Sequence, residues 1–538
     1  MTRNSSRWCG RVLLALMVMA LCVGNGVFPA QAASPRNTVP VTTITVTSGT
    51  DPDDSQSNTC VSHSPCTLRR AIVQARNLAP AARPVLIAFN IPTDAAHGYD
   101  AANQLWRIQV FATTQTAIFR RLNGDITIDG STQPGGRATG PKVMIVGPGA
   151  GTKDGLIVGD VAGNNNHVIR GLGFQNLNTH IYLNTDTNII ENNWFGLNDA
   201  GTAPLLRGGL AQSGSGNAGI AFASGTTGGG ADNNQIRNNY FLGLNGVAAA
   251  IRGTNNTFNN NFIGTRSSGR VTEKQTDPSL ICTPVDWLGG GGISIADADN
   301  IIRDNVFAGI RLQVSQWSLQ ADSIRVSGQR HIIRDNRIGL DGNNTAIGVC
   351  GRGIYLSDGP KTLTVQNNQI VDSELSAISL NGALYDANTL RRNVIIKSRA
   401  WPHLEGALRP ENAIQVNPSL PDPFENFMPA KVTSINDVTV QGTAGTNSPC
   451  PNCVIELFRD DTDAIVETLV SLAVVTANAQ GNWTATLPAP LADGQGIRTT
   501  STTAQYNTIQ NMSAGTTTGL SVLYVAGYKV YLPLTLKQ

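Results

Sequence analysis

Charge is scarce in this 538-residue chain: charged residues are 14% of it and aromatic residues 6%, and there are six histidines. With 39 basic against 37 acidic side chains, the electrostatic basis for general nucleic-acid binding is missing. No two histidines stand at metal-ligand spacing, and Cys450-Pro-Asn-Cys453 has no second pair nearby, so zinc is not indicated. Past residue 23 no apolar run is long enough to cross a membrane. Glycine, in contrast, is plentiful at 56 residues, which suits a chain of many tight turns.

The first 32 residues read as a secretory signal. Arg3, Arg7 and Arg11 precede an apolar run from Val12 to Val23, and Ala30-Gln31-Ala32 is a small-x-small cleavage site. Leu21 before Cys22 stands where a lipoprotein signal needs a small residue, so lipidation is not expected. The chain is expected to be secreted or held at the cell surface, with no membrane insertion once the signal is removed. Cleavage takes three arginines and brings the net charge close to zero. Six cysteines remain, an even number in an oxidising setting. Chain proximity pairs Cys60 with Cys66 and Cys450 with Cys453, which leaves Cys282 for Cys350.

One hexapeptide frame recurs through the middle of the chain. Its clearest copies are Ile302-Arg-Asp-Asn-Val-Phe307 and Ile333-Arg-Asp-Asn-Arg-Ile338, and a first, imperfect copy is Ile169-Arg-Gly-Leu-Gly-Phe174. Position four is asparagine at Asn193, Asn239, Asn261, Asn305, Asn336, Asn368 and Asn393, in steps of 46, 22, 44, 31, 32 and 25. Such a period means stacked repeats. Between the copies lies a second series of apolar-x-apolar tripeptides: Ile181-Tyr-Leu183, Ile220-Ala-Phe222, Ile251-Arg-Gly253, Ile293-Ser-Ile295, Ile324-Arg-Val326, Ile354-Tyr-Leu356, Ile378-Ser-Leu380 and Ile414-Gln-Val416. Period two means strands with one face buried. Each repeat is therefore expected to carry two short strands, and stacking sets the asparagines above one another. Asparagine suits that column because it tolerates left-handed backbone and its amide bonds to the copies above and below.

The repeats resemble the right-handed parallel β-helix, the architecture of pectate lyases and polygalacturonases. Cys66-Thr-Leu-Arg-Arg-Ala-Ile72 resembles the CSLREA motif of exported bacterial β-helix proteins, with Arg70 where that motif has glutamate. Thr67 would cap a helix burying Leu68, Ala71, Ile72 and Ala75, and the resemblance implies a cover over the open end of the solenoid. Beyond residue 430 the repeat is gone. Runs such as Val454-Ile-Glu-Leu-Phe458 and Trp483-Thr-Ala-Thr-Leu487 alternate like strands and resemble bacterial Ig-like modules, with Trp483 read as core. The expected fold is all-β, a right-handed parallel β-helix followed by a small β-sandwich. The segments are a signal peptide (1–32), an N-terminal strand and capping region (33–125), the β-helix (126–417), a Pro-rich linker (418–429), the Ig-like sandwich (430–524) and a tail (525–538).

No strong catalytic motif stands out. The enzymes of the resembled fold use clustered aspartates, or calcium with a basic residue, on the outer face of one strand column, and no match to those arrangements is found. In the second series the outward residues are Tyr182, Ala221, Arg252, Ser294, Arg325, Tyr355, Ser379 and Gln415. Asp297 and Asp358 follow two of these strands, two coils or about 9.6 Å apart. That is close to the carboxyl separation of inverting glycosidases, about 6.5–9.5 Å. Arg325 would project between them, as the candidate base of a lyase. The same column holds turn formers elsewhere, so the bland reading is that both aspartates close turns. The longest insertions, with Trp287 and Trp317, feed these coils, so Tyr355, Trp287 and Trp317 are the candidate sugar contacts. A column of Arg170, Arg237, Arg303, Arg334 and Arg391, broken by Glu191 and flanked by Asp304 and Asp335, reads as cross-coil ion pairs rather than a polyanion track. Asp51, Asp53 and Asp54 read as a solvated turn; calcium there is the alternative, without a motif for it, and no cofactor is expected. The leading expectation is a monomeric β-helix protein presenting a polysaccharide-binding or adhesive surface to a cell-surface glycan. A polysaccharide lyase or glycoside hydrolase, and a purely structural surface protein, are the alternatives.

Overall fold

The computed structural model describes residues 42–51, 57–110, 117–148, 153–159, 166–203, 218–223, 231–244, 246–271, 291–310, 322–357, 362–373, 375–380, 387–398, 413–416, 427–444, 450–463, 465–507 and 512–525. Three long sheets run along the stack. Sheet one has eleven strands, from Thr42–Val46 to Thr389–Arg391; sheet two has eleven, from Tyr99–Asp100 to Val394–Ile396; sheet three has nine, from Leu156–Val158 to Ile414–Val416. Pairing is parallel between successive coils, as in Ile302 opposite Ile333 and Ile324 opposite Ile354. The antiparallel exception is Tyr99–Asp100 against Leu105–Gln109. The chain is a parallel β-helix.

From the coil of Ile126–Asp129 onward each coil carries three strands, not the two expected. The hexapeptide frame holds two of them, Ile301–Arg303 in sheet one and Val306–Phe307 in sheet two. The residue between them makes the corner: Asn192, Asn238, Asn260, Asp304, Asp335, Asn367 and Arg392 all have φ between 48° and 58°. The ladder asparagine itself is not the left-handed residue. The corner takes the left-handed backbone, and the next residue, the asparagine, turns inward. Asn305 is fully buried. Its Oδ1 accepts from the backbone N–H and the side chain of Asn261, at 2.9 and 3.2 Å, and its Nδ2 donates to the Phe258 carbonyl and to Asn336 Oδ1, at 2.9 and 3.0 Å. The pattern runs unbroken from Leu172 N–H, which donates to Asn193, to Asn393. Between the sheets the interior is aromatic and aliphatic: Phe174, Phe195 and Phe241 stack with centroids 5.2 and 4.7 Å apart, in one core with Ile236, Ile302 and Ile333.

A second ladder, not foreseen, precedes sheet one. Asn188, Asn234, Asn256 and Asn300 each accept the backbone N–H of the preceding coil, at 2.8–3.0 Å. His331 continues the column: its Nδ1 accepts from Asn300 N–H at 3.2 Å, and Nε2 faces the Ser327 carbonyl at 2.9 Å. That geometry needs a neutral ring, protonated on Nε2. Burial holds the imidazole below its ordinary 6.5, with the Ser327 carbonyl, Asp299 and Asp297 opposing and Arg330 reinforcing. The unfolded chain therefore takes up this proton first as pH falls. The ring's contribution to stability is complete above about 6.5 and is lost as pH drops through the lowered folded value. His331→Asn supplies the ladder's usual amide, which does not titrate there. Denaturation at pH 7.5 and pH 5 should show a smaller acid loss in the variant; equal losses would remove His331 from the acid response.

The stack starts earlier than the sequence boundary at residue 126. Thr42–Val46 pairs with Val85–Phe89, and that strand with Ile126–Asp129, so residues 42–89 already build sheet one. Helix α1, Leu68–Asn77, lies against these first two strands. Thr67 caps it, accepting from Arg70 N–H at 3.4 Å, and Leu68, Ala71, Ile72 and Ala75 are buried. Arg70 cannot reciprocate as a glutamate would, and its Nη1 reaches back to the Pro65 carbonyl at 2.8 Å.

The C-terminal residues form two small antiparallel sheets. One orders Lys431–Asn436, Thr439–Thr443 and Asn482–Thr486; the other orders Val470–Thr476, Val454–Asp461, Gln495–Thr502 and Tyr524–Val525. Trp483 is buried with Ile455, Leu457 and Ile497. These sheets close the end of the stack. In inner coils the corner amide donates to the next coil's carbonyl, as Asp335 does to Gln366. At the last coil Arg392 N–H donates to both carboxylate oxygens of Glu456, 2.9 Å each, and Lys397 N–H donates to Glu467. Ile395 bridges Thr468 antiparallel, and Thr517 Oγ1 accepts from Leu390 N–H at 3.0 Å. Two carboxylates and two threonines thus stand in for a missing coil. Burial pushes both carboxyls up, Glu467 to about 7. The Pro-rich segment 418–429 lies almost wholly outside the described residues.

Candidate functional site

The outward column of sheet three in the described residues is Ile157, Tyr182, Ala221, Ala250, Ser294, Arg325, Tyr355 and Ser379. Ala250, not Arg252, fills its coil's place, because the strand is Ala249–Ile251. Gly253, taken as the strand's third residue, is at φ 84° in the turn after it. Asp297 belongs to that same turn region. It has φ 67°, and its Oδ2 accepts Gly253 N–H at 2.6 Å, so its carboxylate fastens one coil's turn to the next. Asp358, Trp287 and Trp317 lie outside the described residues.

Four side chains do converge, and two of them were not singled out in the sequence. Asp322 and Arg352 occupy the same position on adjacent coils, just before the strands Ile324–Val326 and Ile354–Leu356. Arg352 N–H donates to Asp322 Oδ1 at 3.2 Å, and the guanidinium stands 3.6 Å from Oδ2. Three residues on, Arg325 and Tyr355 are direct cross-strand neighbours. The guanidinium carbons of Arg352 and Arg325 lie 3.9 and 5.4 Å from the Tyr355 ring centroid, inside cation–π range. Tyr355 is 4% exposed, so its ring packs beneath the arginines instead of serving as the open platform expected of it. Burial pushes the Asp322 carboxyl above the usual carboxylate range, against the pull of Arg352 and Arg325. Two cations thus share one buried, hard-to-ionise carboxyl, and the cluster favours an electron-rich partner. No repeat marks Asp322 or Arg352; the signal available was an acid and a base at equal distance before consecutive strands.

The other candidate groups have structural work. In the basic column Glu191 bridges coils, 3.7 Å from Arg170 and 2.7 Å from Arg237, whereas Arg303 and Arg334 pair with their own neighbours Asp304 and Asp335. Aromatic residues on sheet two, Tyr240 and Phe262, stack face to face at 4.7 Å, so each covers one face of the other. Asp460, Asp461 and Glu467 gather closely enough to suggest a cation, but Asp460 is paired with Arg498 and Glu467 holds Lys397 N–H. Asp51, read as part of a solvated turn, is buried against Arg69. Cys60–Cys66 and Cys450–Cys453 are disulfide-bonded. Cys350 is also disulfide-bonded; Cys282 lies outside the described residues.

No protein-family model matches the chain, and no curated protein matches it. Solved structures similar to it include an open-reading-frame product of Geobacillus virus E2, at 12% identity and TM-score 0.40, covering 84% of this chain and 77% of that one. The A-module of an Azotobacter vinelandii mannuronan C-5 epimerase is 11% identical with TM-score 0.32, covering 65% and 96%. A tailspike protein of Escherichia coli bacteriophage HK620, solved with a pentasaccharide, is 12% identical with TM-score 0.31, covering 85% of each chain.

Proposed function

We propose that this protein presents the outer face of sheet three to an extracellular or cell-surface polysaccharide, with Arg325 and Arg352 as its principal contacts. The observation that carries this reading is the pair of guanidinium groups held over Tyr355 beside one buried carboxyl. Guanidinium forks donate several hydrogen bonds in fixed geometry to hydroxyl, carboxylate or sulfate oxygens. Arg325 on its strand and Arg352 just before the next are both packed on the Tyr355 ring, with little left to order on binding. The leader of residues 1–32 supports export, and the motif at Cys66–Ile72 supports kinship with CSLREA-type exported proteins. The C-terminal sheets are read as an Ig-like module used as a cover.

Retention on immobilised neutral and acidic polysaccharides tests this. Arg325→Ala with Arg352→Ala, made in an Asp322→Asn background so that no buried carboxylate is orphaned, should weaken retention at least tenfold. That corresponds to about 1.4 kcal/mol, below the about 1.5–3 kcal/mol of a single hydrogen bond to a charged group. Unchanged retention by the folded variant would refute the site. One observation favours catalysis as a second reading: a buried carboxyl with a raised pKa is suited to donate a proton. A hydrolase or lyase would release new reducing or unsaturated ends, and Asp322→Asn would abolish them.

A further inference from the structure

Of the contacts that fasten the C-terminal sheets to the last coil, the one at Lys397 is made by a crowded carboxyl. Glu467, buried, accepts Lys397 N–H at 2.6 Å. Its carboxyl oxygens and those of Asp460 and Asp461 come within 4.8 Å of one another. Asp460 is fully buried, and its Oδ2 accepts from Arg498 Nε and from Glu467 N–H, the latter at 3.3 Å. Asp461 accepts Asp463 N–H at 3.0 Å, which brings a fourth carboxyl into the same turn. The strand that follows, Val470–Thr476, adds no charge, and Lys397 is exposed and offers the cluster its backbone N–H. Among the described residues the cluster's one ion pair is therefore Asp460 with Arg498.

Carboxyls this close, with one cation between them, do not all ionise without repulsion in a site that water hardly reaches. Arg498 favours the ionised form of Asp460, so the proton falls to Glu467. Protonated, Glu467 still accepts Lys397 N–H through its carbonyl oxygen and adds no charge to those of Asp460 and Asp461. We propose that this cluster is a pH-operated latch, which holds the C-terminal sheets on the last coil while Glu467 keeps its proton and loosens them as that proton is lost. Burial is the main cause that lifts the Glu467 carboxyl to about 7; the Lys397 N–H opposes it, and Asp463, Asp460 and Asp461 add to it. An opened joint returns the group to water and its ordinary 4.5. The closed form thus binds the proton more tightly. Its advantage is complete below about 4.5 and is lost as pH rises through about 7. At the other clamp burial also lifts Glu456, but the Arg392 N–H, Ser471 and the cations of Arg391 and Arg392 all pull it back, so loosening begins at Glu467. Opening bares the last strand of sheet two, Val394–Ile396, whose Ile395 N–H the cover otherwise satisfies through Thr468.

Amide exchange on the full mature chain tests this, in buffer containing EDTA so that no trace cation neutralises the ionised cluster. The Lys397 and Ile395 amides lie at the joint. Corrected for the intrinsic rate, their protection should fall about tenfold or more between pH 5.5 and pH 8.5. Gly339 N–H, bonded to the Phe307 carbonyl inside the stack, should keep its protection. Glu467→Gln keeps an acceptor for the Lys397 N–H and cannot ionise, so its joint should stay closed at pH 8.5. Asp461→Asn keeps the acceptor for Asp463 N–H and removes one neighbouring charge, so its drop should be smaller than that of the wild type. Joint protection that does not change with pH in the wild type overturns the proposal, and so does a pH dependence that survives in Glu467→Gln. If the glutamine opens the joint at every pH, Asp461→Asn decides: a drop as large as that of the wild type overturns the proposal, and a smaller one supports it.

Discussion

Replacing Asn305 by alanine should destabilise the β-helix by about 1–3 kcal/mol for the backbone amide it orphans, read as a lower midpoint in chemical denaturation. The Asn261 N–H loses its acceptor in a buried position, and the Phe258 carbonyl and Asn336 Oδ1 each lose a donor. Asn305→Asp should be worse than alanine. Its oxygens still accept from Asn261, but a charge then faces two acceptors that an amide would have donated to, inside a fully buried position. Asn336→Ala should match Asn305→Ala, since its bonds to the flanking coils are the same. An unchanged midpoint in both alanine variants would mean that the asparagines follow the fold without holding it.

That ladder was legible because each coil must satisfy the same buried amide at the same corner, so one residue type recurs in one frame. The corner's left-handed residue was less legible. Asn, Asp and Arg all occupy it, and a variable polar position looks like part of a strand until the chain is seen to bend there. The second ladder is written two residues before each frame, at Asn188, Asn234, Asn256 and Asn300, but His331 does the same work with a ring nitrogen and breaks the pattern by residue type. The register of sheet three was readable except at Ala249–Ile251, where small residues in a strand hid it behind the more conspicuous Ile251-Arg-Gly253. The Asp322–Arg352 pair was the least legible, its one signal being an acid and a base at equal distance before consecutive strands. It lies outside every repeat, and its meaning comes from adjacent coils bringing together residues 30 positions apart. The covering role of the C-terminal sheets was hidden for the same reason: Glu456 and Glu467 look like ordinary strand carboxylates until the amides of Arg392 and Lys397 are set against them.

The largest single loss is expected at the opposite end of the stack, for Arg69→Met. The Arg69 side chain, in the first turn of helix α1, is 1% exposed, and that of its partner Asp51 is 3% exposed. Nε donates to Asp51 Oδ1 at 2.9 Å and Nη2 to Oδ2 at 2.5 Å, while Nη1 bonds the Ile118 carbonyl and the guanidinium lies 5.7 Å from the Phe119 ring centroid. The pair therefore ties three segments together: the turn after the first strand, helix α1 and the chain at residues 118–119. Methionine fills the stem's volume but takes the Arg69 cation away from a buried Asp51 carboxylate, which costs about 3–5 kcal/mol. Asp51→Asn in the same chain removes the stranded charge, so the double variant should recover most of the loss. That non-additivity separates an ion pair from simple packing. If Arg69→Met and Asp51→Asn instead add, the guanidinium acts through the Ile118 carbonyl and Phe119, and Asp51 is incidental. The site of the loss should also be visible. Amide exchange should quicken first in Thr42–Val46, the outermost strand of sheet one, whose outer side helix α1 covers, and only later in the coils that the asparagine ladder holds.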